Sequence, residues 1–458
     1  MRLFNSLLYT FVLISFFACE THKTEVNSKR NKLDCHKQLS QSELIEDFDI
    51  LTNFLRELHP DLYRVQEKEV IDAKILSIQQ QFSDSLSYLE FLKLVAPLLS
   101  EIGCINTQWG HSTEYIKYRN KNTPVFPIDF KILDGQFIIE KNYSTNLSIR
   151  QGDEIMEING VAVSDYLTKN YPLLPIDGTI KSLQHKWLAS FFPNHHSNFW
   201  EQVDTFKLKI INNKKEIKTI KVKALLKENI NREASNDAPL SLQIIDSIAV
   251  LKIASFNTNI IERHKQDFVS FIHSSFKTIK ENKINNLIID LSGNSWGSML
   301  NGAFLYSYLA AEKFQYVSSF SNIIKKVSNT ALLTDLEVLD SLTINTLTAN
   351  RVPNQLSYTD KLYLISDGWN INAGGYFCSK AYNRPNTLFI GEKTGSTSFG
   401  MNGIQKMLTL PNSGLNLFIP TVQFIANEDQ INNIDGKEVD LKIPPPYIEN
   451  TIQYIQQK

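Results

Sequence analysis

Residues 285–302 read NNLIIDLSGNSWGSMLNG. The stretch Asn286 to Leu291, apolar at Leu287, Ile288, Ile289 and Leu291, predicts a buried strand. Gly293, Asn294 and Gly297 then mark a turn, and Met299 to Ala311 predicts a helix. The same grammar recurs on both sides. Ile248 to Ile253 and Leu362 to Ile365 predict further strands, while Phe268 to Lys280 and Ala373 to Tyr382 predict helices. Strands alternating with helices imply an α/β domain with a largely parallel sheet.

Upstream the pattern changes. Leu44, Ile45, Phe48, Leu51, Leu55 and Leu58 recur at helical spacing until His59-Pro60, and a second helical stretch covers Tyr88 to Leu99. A small helical N-terminal domain follows, over 39–115. Residues 149–167, IRQGDEIMEINGVAVSDYL, place Gly152-Asp153 and Asn159-Gly160 at turns between short strands with one buried face. The stretch 171–228 is less readable and holds an aromatic cluster of Trp187, Phe191, Phe192, Phe199 and Trp200. The expected organisation is a leader over 1–18, a polar tether over 19–38, the helical domain, a β module with its connecting segment over 120–228, and the α/β domain over 229–458.

The chain opens MRLFNSLLYTFVLISFFACE. Arg2, the apolar run from Leu7 to Phe17, and Ala18 before Cys19 predict a removable export signal. The run is short for a membrane helix. Its end, FFAC, resembles a lipoprotein signal, which implies lipidation at Cys19 and a bacterial envelope location; a plain secretory signal is the alternative. Cys35, Cys104 and Cys378 remain, so no disulfide framework is expected. Adjacent His195 and His196 lack further ligands at useful spacing and are assigned to the surface, and neither a metal nor a cofactor is expected. A net charge of -1 over 458 residues gives no basic excess for nucleic acid.

Four stretches, in order, resemble the tail-specific (C-terminal processing) serine peptidases, in particular their tricorn-like branch. The first, SEIGCINTQWGHSTEY (100–115), resembles the segment ending Gly-His-Thr, which puts His111 at the general base. The second is 285–302, resembling Leu-Ile-Ile-Asp-Leu-Arg-Gly-Asn-Gly-Gly-Gly, whose backbone N–H groups help form an oxyanion hole. Here Gly293, Asn294, Ser295, Trp296 and Gly297 occupy that turn, and the indole of Trp296 is expected to fill substrate space. In the third, KLYLISDGWNINAGGYFCSKAYN (361–383), the nucleophile position falls on Asn372. A carboxamide is not ionised near neutral pH and forms no acyl-enzyme by the usual route, whereas asparagine is a favoured helix N-cap, the role expected for it ahead of Ala373. The fourth, NTLFIGEKTGSTSFG (386–400), places Thr397 at the lysine of the Ser-Lys branch and leaves Glu392 to orient a base or to end a strand. Residues 435–447, DGKEVDLKIPPPY, resemble the closing Gly-Val-Pro-Pro-Asp segment, with Asp440 at the Asp.

The resemblance implies a crotonase-like ββα core with an N-terminal helical domain and an inserted PDZ-like module, which takes extended peptides at Gly152 and Asp153. Three functions stay open: a catalytically impaired peptidase-like protein that binds peptides or protein C-termini, an active serine peptidase of the envelope, and a carrier of apolar ligands, as in the interphotoreceptor retinoid-binding proteins on the same scaffold. Fold alone does not choose among them.

Overall fold

A computed structural model describes residues 38–458 except 83, 233–235, 323–329 and 337–338. The leader, Cys19, Cys35 and all but the last residue of the tether lie outside the described residues.

The first helix, α1 (Gln41–Leu58), opens on a capping box in which Ser40 and Glu43 each bond the other's backbone N–H. Its stripe of Leu44, Phe48, Leu51, Leu55 and Leu58 is buried, while Ile45 faces solvent. A helix not anticipated from periodicity, α2 (Lys68–Gln79), precedes α3 (Tyr88–Glu101), which opens on the same box from Ser87 and Glu90. These helices do not enclose their core alone. Leu408, Leu415, Leu417 and Ile419, from far along the sequence, complete it.

Next come β1 (Ile128–Leu133), β2 (Gln136–Asn142) and β3 (Glu154–Ile158), then α4 (Lys181–Phe199), β4 (Thr205–Ile211) and β5 (Ile217–Lys223). The strands pair antiparallel in the order β5-β4-β3-β2-β1. A register shift between Ile155 and Glu157 lets Ile155 and Ile158, three residues apart, both face the core, where strict alternation would separate them. Helix α4 covers this sheet, with Phe192 packed edge-on to Phe126, Phe130 and Phe137. His195 and His196 lie on α4 and are buried, which corrects their assignment to the surface. The helix is enclosed on more than one side, so these neighbours turn inward together.

The last unit runs β6 (Leu240–Ile245), β7 (Ile248–Ile253), α5 (Phe268–Glu281), β8 (Asn286–Asp290), α6 (Met299–Ser307), β9 (Lys361–Ser366), α7 (Asn372–Ala381) and β10 (Thr387–Gly391). Its sheet has the order β6-β7-β8-β9-β10, parallel from β7 onward, with β6 antiparallel at the edge. Alternate residues serve opposite faces. Leu251, Leu287, Ile289 and Leu364 meet Phe276, Tyr376 and Phe377 of α5 and α7. Val250, Ile288, Tyr363 and Ile365 meet Ile448 and Ile452 of the C-terminal helix, α8 (Tyr447–Gln456). Both faces are covered, as parallel sheets require. A long hairpin, β11 (Gly400–Thr409) and β12 (Asn416–Ile425), extends from this unit to the N-terminal helices, and β12 pairs with the short strand Gln108–Gly110.

Burial holds the imidazoles of His59, His111 and His195 down to about 3 and that of His196 to about 4. An unfolded histidine titrates near 6.5, so the unfolded protein binds more protons below that value, and this stabilisation is lost as pH falls from about 6.5 toward the folded values. In His59→Asn the amide oxygen takes over the acceptor role of Nδ1, which receives the Asp61 N–H at 3.0 Å. That variant should lose about 1–2 kcal/mol less stability than the native protein between pH 7 and 5. Denaturant unfolding at the two pH values checks this, and equal losses would refute it.

Candidate active site

The turn after β8 and the loop after β9 meet at the C-terminal end of the parallel sheet, where open α/β sheets present their ligand crevices. Asn370, fully buried, holds them together. Its Nδ2 donates to the Leu291 oxygen at 2.7 Å and to the Asn294 oxygen at 3.0 Å, and its Oδ1 accepts the Asp367 N–H at 2.8 Å. Asp367 Oδ1 accepts from the N–H groups of Gly293 at 3.1 Å and Trp369 at 2.9 Å, and its Oδ2 lies 3.5 Å from Lys186 Nζ. Burial pushes the Asp367 carboxyl up, with Lys186 and the two N–H groups opposing. The approach is close enough to dictate glycines. A Cβ on Gly374 would overlap the Asn294 carbonyl oxygen, and one on Gly297, at φ +147°, would overlap the Phe256 backbone. Gly293, Asn294, Ser295, Trp296 and Gly297 thus form one turn against the start of α7.

Asn372 opens α7 with φ +48°, a left-handed conformation that asparagine tolerates better than most residues. The expected N-cap role is corrected. Ile371 is the cap, and the Asn372 amide points elsewhere because a residue at this φ does not have the extended backbone of a cap. Asn372 Oδ1 accepts from Asn106 Nδ2 at 2.5 Å, while Asn372 Nδ2 is buried without a partner among the described residues. Asn106 is fixed in turn: its Nδ2 also donates to the Asn402 oxygen, and its own carbonyl accepts from Gln405 Nε2 at 2.7 Å.

Both asparagines line a cavity of about 460 Å³ with Trp296, Met299, Leu347, Met401, Ile404 and Phe424 among its walls. The expectation that Trp296 fills this space is corrected. Its indole forms part of the wall, packed toward Ile105 and Ile371.

His111 lies outside that wall. Its ring packs at tilted and edge-on angles among Tyr88, Trp109 and Tyr115, with Nδ1 2.7 Å from the Tyr88 hydroxyl and Nε2 3.2 Å from Asn198 Oδ1. Burial, then the Arg119 guanidinium, hold it neutral down to about 3. Glu392 is likewise absent from the cavity lining; it accepts the Tyr447 hydroxyl at 2.6 Å and pairs with Lys186 at 3.1 Å. Thr397 is buried and donates twice to Asp177. At Gly152-Asp153 both N–H groups are engaged, by the Ile139 oxygen of β2 at 2.9 Å and the Arg150 oxygen of the turn at 3.1 Å, so neither is open to a peptide. Cys104 and Cys378 are buried free thiols, and burial raises both.

Residues 247–443 match the model described as Peptidase family S41. Over these residues the chain is similar to peptidase family S41. Two solved structures, mature CPAF complexed with lactacystin and mature CPAF alone, share the fold at TM-scores of 0.65 and 0.63. Identity is 14% and 13%, over 91% and 88% of this chain and 97% and 92% of theirs. A search of curated proteins finds no match. Within the S41 frame, sequence reading missed Asn106, Asp367 and Asn370. For Asn106 a signal existed: it is followed directly by Thr107, the order of the family's His-Thr, whereas His111 is followed by Ser112.

Asn370→Ala would leave the Leu291 and Asn294 oxygens and the Asp367 N–H short of partners, costing on the order of 3 kcal/mol. Gly374→Ala should cost about 1–3 kcal/mol through overlap with Asn294. Gly293→Ala meets nothing within 4 Å and should cost only about 1 kcal/mol for its positive φ. Urea midpoints that rank Gly293→Ala as the most damaging of the three would contradict this account of the joint.

Proposed function

We propose that this S41 protein binds peptides or protein C-termini at the bacterial cell envelope without hydrolysing them. The observation that carries the reading is the bonded pair of Asn106 and Asn372, 2.5 Å apart across the cavity wall. Asn372 stands where the resemblance puts the nucleophile, at a turn between a parallel strand and a helix. Asn106 is the residue that meets it, in the place a general base needs to occupy. Neither carboxamide gives up or takes a proton near neutral pH, so both ends of the proton transfer that starts acyl transfer are lost. His111 does not replace them, being neutral and enclosed at Tyr88 and Asn198. In this reading 1–18 are removed on export and Cys19 carries the lipid that anchors the protein through its polar tether.

A second reading, carriage of an apolar small ligand, draws on Leu339, Leu347, Met401, Ile404 and Phe424 in the same wall. Two measurements bear on these readings. The native protein, incubated with an unbiased peptide library and read by mass spectrometry, should leave the library intact. Loss of the serine in an unrelated serine protease costs on the order of 10⁶ in turnover. Asn372→Ser alone should stay silent, because Asn106 still offers no base; the double variant Asn106→His, Asn372→Ser should gain cleavage. Cleavage by the native protein that His111→Ala abolishes would defeat the proposal. A small apolar molecule that co-purifies with the native protein and is displaced by no peptide would favour the carrier.

A further inference from the structure

A second cavity, of about 860 Å³, shares no lining residue with the one at Asn372. One of its walls is the exposed side of α5 and the other is the segment 351–356. That segment is tied back toward α6. The Asn354 N–H donates to the Ser307 oxygen at 2.8 Å, and Arg351 exchanges backbone bonds with Phe314 at 2.8 and 3.0 Å. Toward α5, Lys280 Nζ donates to the Gln355 oxygen at 3.0 Å. The segment is thus braced at a distance from the helix, and the cavity is the space between them.

His273, Lys277 and Lys280 line it from one face of α5, at the spacing that brings helical residues together. A chain of hydrogen bonds fixes the imidazole. Asn354 Oδ1 accepts the Leu356 N–H at 2.9 Å, which leaves its amide nitrogen for the bond it makes to Tyr308. Tyr308 is buried, so its hydroxyl proton needs an acceptor, and His273 Nδ1 lies 3.0 Å away. This network assigns the ring proton of a neutral His273 to Nε2, making that nitrogen a donor. Glu281, the one acid among the described lining residues, lies 3.9 Å from Lys277. Both side chains are well exposed, and an exposed pair at that separation is weak, so Lys277 is not committed to it. On the facing wall Val352 is 65% exposed, and Pro353 and Leu356 add further apolar surface.

We propose that this cavity binds a phosphate monoester, with the phosphoryl oxygens at His273, Lys277 and Lys280 and the organic part against Val352, Pro353 and Leu356. A phosphoryl group carries close to two negative charges and three acceptor oxygens, which matches two ammonium groups and three donors. A carboxylate has one charge and two oxygens. Lysine serves phosphate as a point charge and needs no planar fork to do so. The volume lies within the usual range of roughly 300–1,000 Å³ for ligand sites, which leaves room for more than a bare phosphate. The same chemistry occurs in a soluble ester and in the headgroup of phosphatidic acid. Nothing in the proposal depends on what happens at Asn372.

Calorimetric titration of the full-length protein with hexyl phosphate, inorganic phosphate, hexanoate and dihexanoyl phosphatidic acid, each below its micelle concentration, tests it. Hexyl phosphate should bind about fivefold more tightly than hexanoate, and more tightly than inorganic phosphate. The double variant Lys277→Gln, Lys280→Gln should weaken hexyl phosphate about tenfold. Lys277→Gln alone leaves the Lys280–Gln355 bond in place and should weaken it about threefold, whereas Glu281→Gln, which removes the competing acid, should strengthen it about twofold. Dihexanoyl phosphatidic acid binding more tightly than hexyl phosphate supports the site and makes the lipid headgroup its ligand; the reverse order supports it with a soluble ester. No binding of either ester, equal affinities for hexyl phosphate and hexanoate, or affinity unchanged in both lysine variants overturns the proposal. Inorganic phosphate binding as tightly as hexyl phosphate overturns the role given to the apolar wall.

Discussion

The buried amide of Asn370 is the contact on which the site depends. Two neighbouring parallel strands end together, and each must turn back through space that water does not reach, leaving backbone groups to be paired. Asn370 supplies both kinds of partner, donating to the Leu291 and Asn294 oxygens and accepting from the Asp367 N–H, while its own carbonyl receives the Ser396 N–H at 3.0 Å. One residue thus fixes the turn after β8, the loop after β9 and the loop after β10. Close approach then follows, and with it the need for Gly374 and Gly297. Trp296 is accommodated in so tight a turn because its indole leaves sideways, into an apolar cluster with Ile105 and Ile371. Those two residues immediately precede Asn106 and Asn372. The same cluster therefore steadies both asparagines.

What the sequence revealed and what it concealed divide along physical lines. Helix Phe268–Glu281 was legible because it buries one periodic set of residues, and strand Ile248–Ile253 because it is a short, nearly continuous apolar run buried on both faces. Helix α4 was not. It carries Pro193 inside, and Leu183, Gln184, Leu188, Phe192, His195, His196 and Ser197 are all buried, so no single stripe marks it. The site followed the same rule. The turn at 293–297 and the helix start at Asn372 are local and could be located from spacing. The partner of Asn372 is a long-range matter, set by the pairing of Gln108–Gly110 with Asn416–Phe418, more than three hundred residues apart in sequence. Reading by residue type selected His111, whereas the residue that meets Asn372 in space is Asn106.

The long hairpin ties these ranges together. Near its base, Met401, Gly403, Ile404 and Gln405 line the cavity, and at its far end Leu408, Leu415, Leu417 and Ile419 complete the core of the N-terminal helices. Asp47 of α1 also reaches it, accepting the N–H groups of Asn412 at 3.0 Å and Ser413 at 2.7 Å. The N-terminal helices are consequently part of the structure that aims Asn106, although they contribute nothing to the cavity wall.

A catalytic site and a binding site draw on different parts of this fold. Hydrolysis needs two residues that exchange a proton, and in the proposed reading both positions hold amides that satisfy each other. Affinity for an acceptor oxygen needs only donors held in place, and most of these are backbone N–H groups at helix starts, which belong to the fold rather than to any one residue type. In that reading two amides at these positions remove the proton transfer, while the helix starts keep their partial positive charge. The Asn106–Asn372 bond uses Oδ1 of Asn372 and leaves its Nδ2 buried without a partner among the described residues.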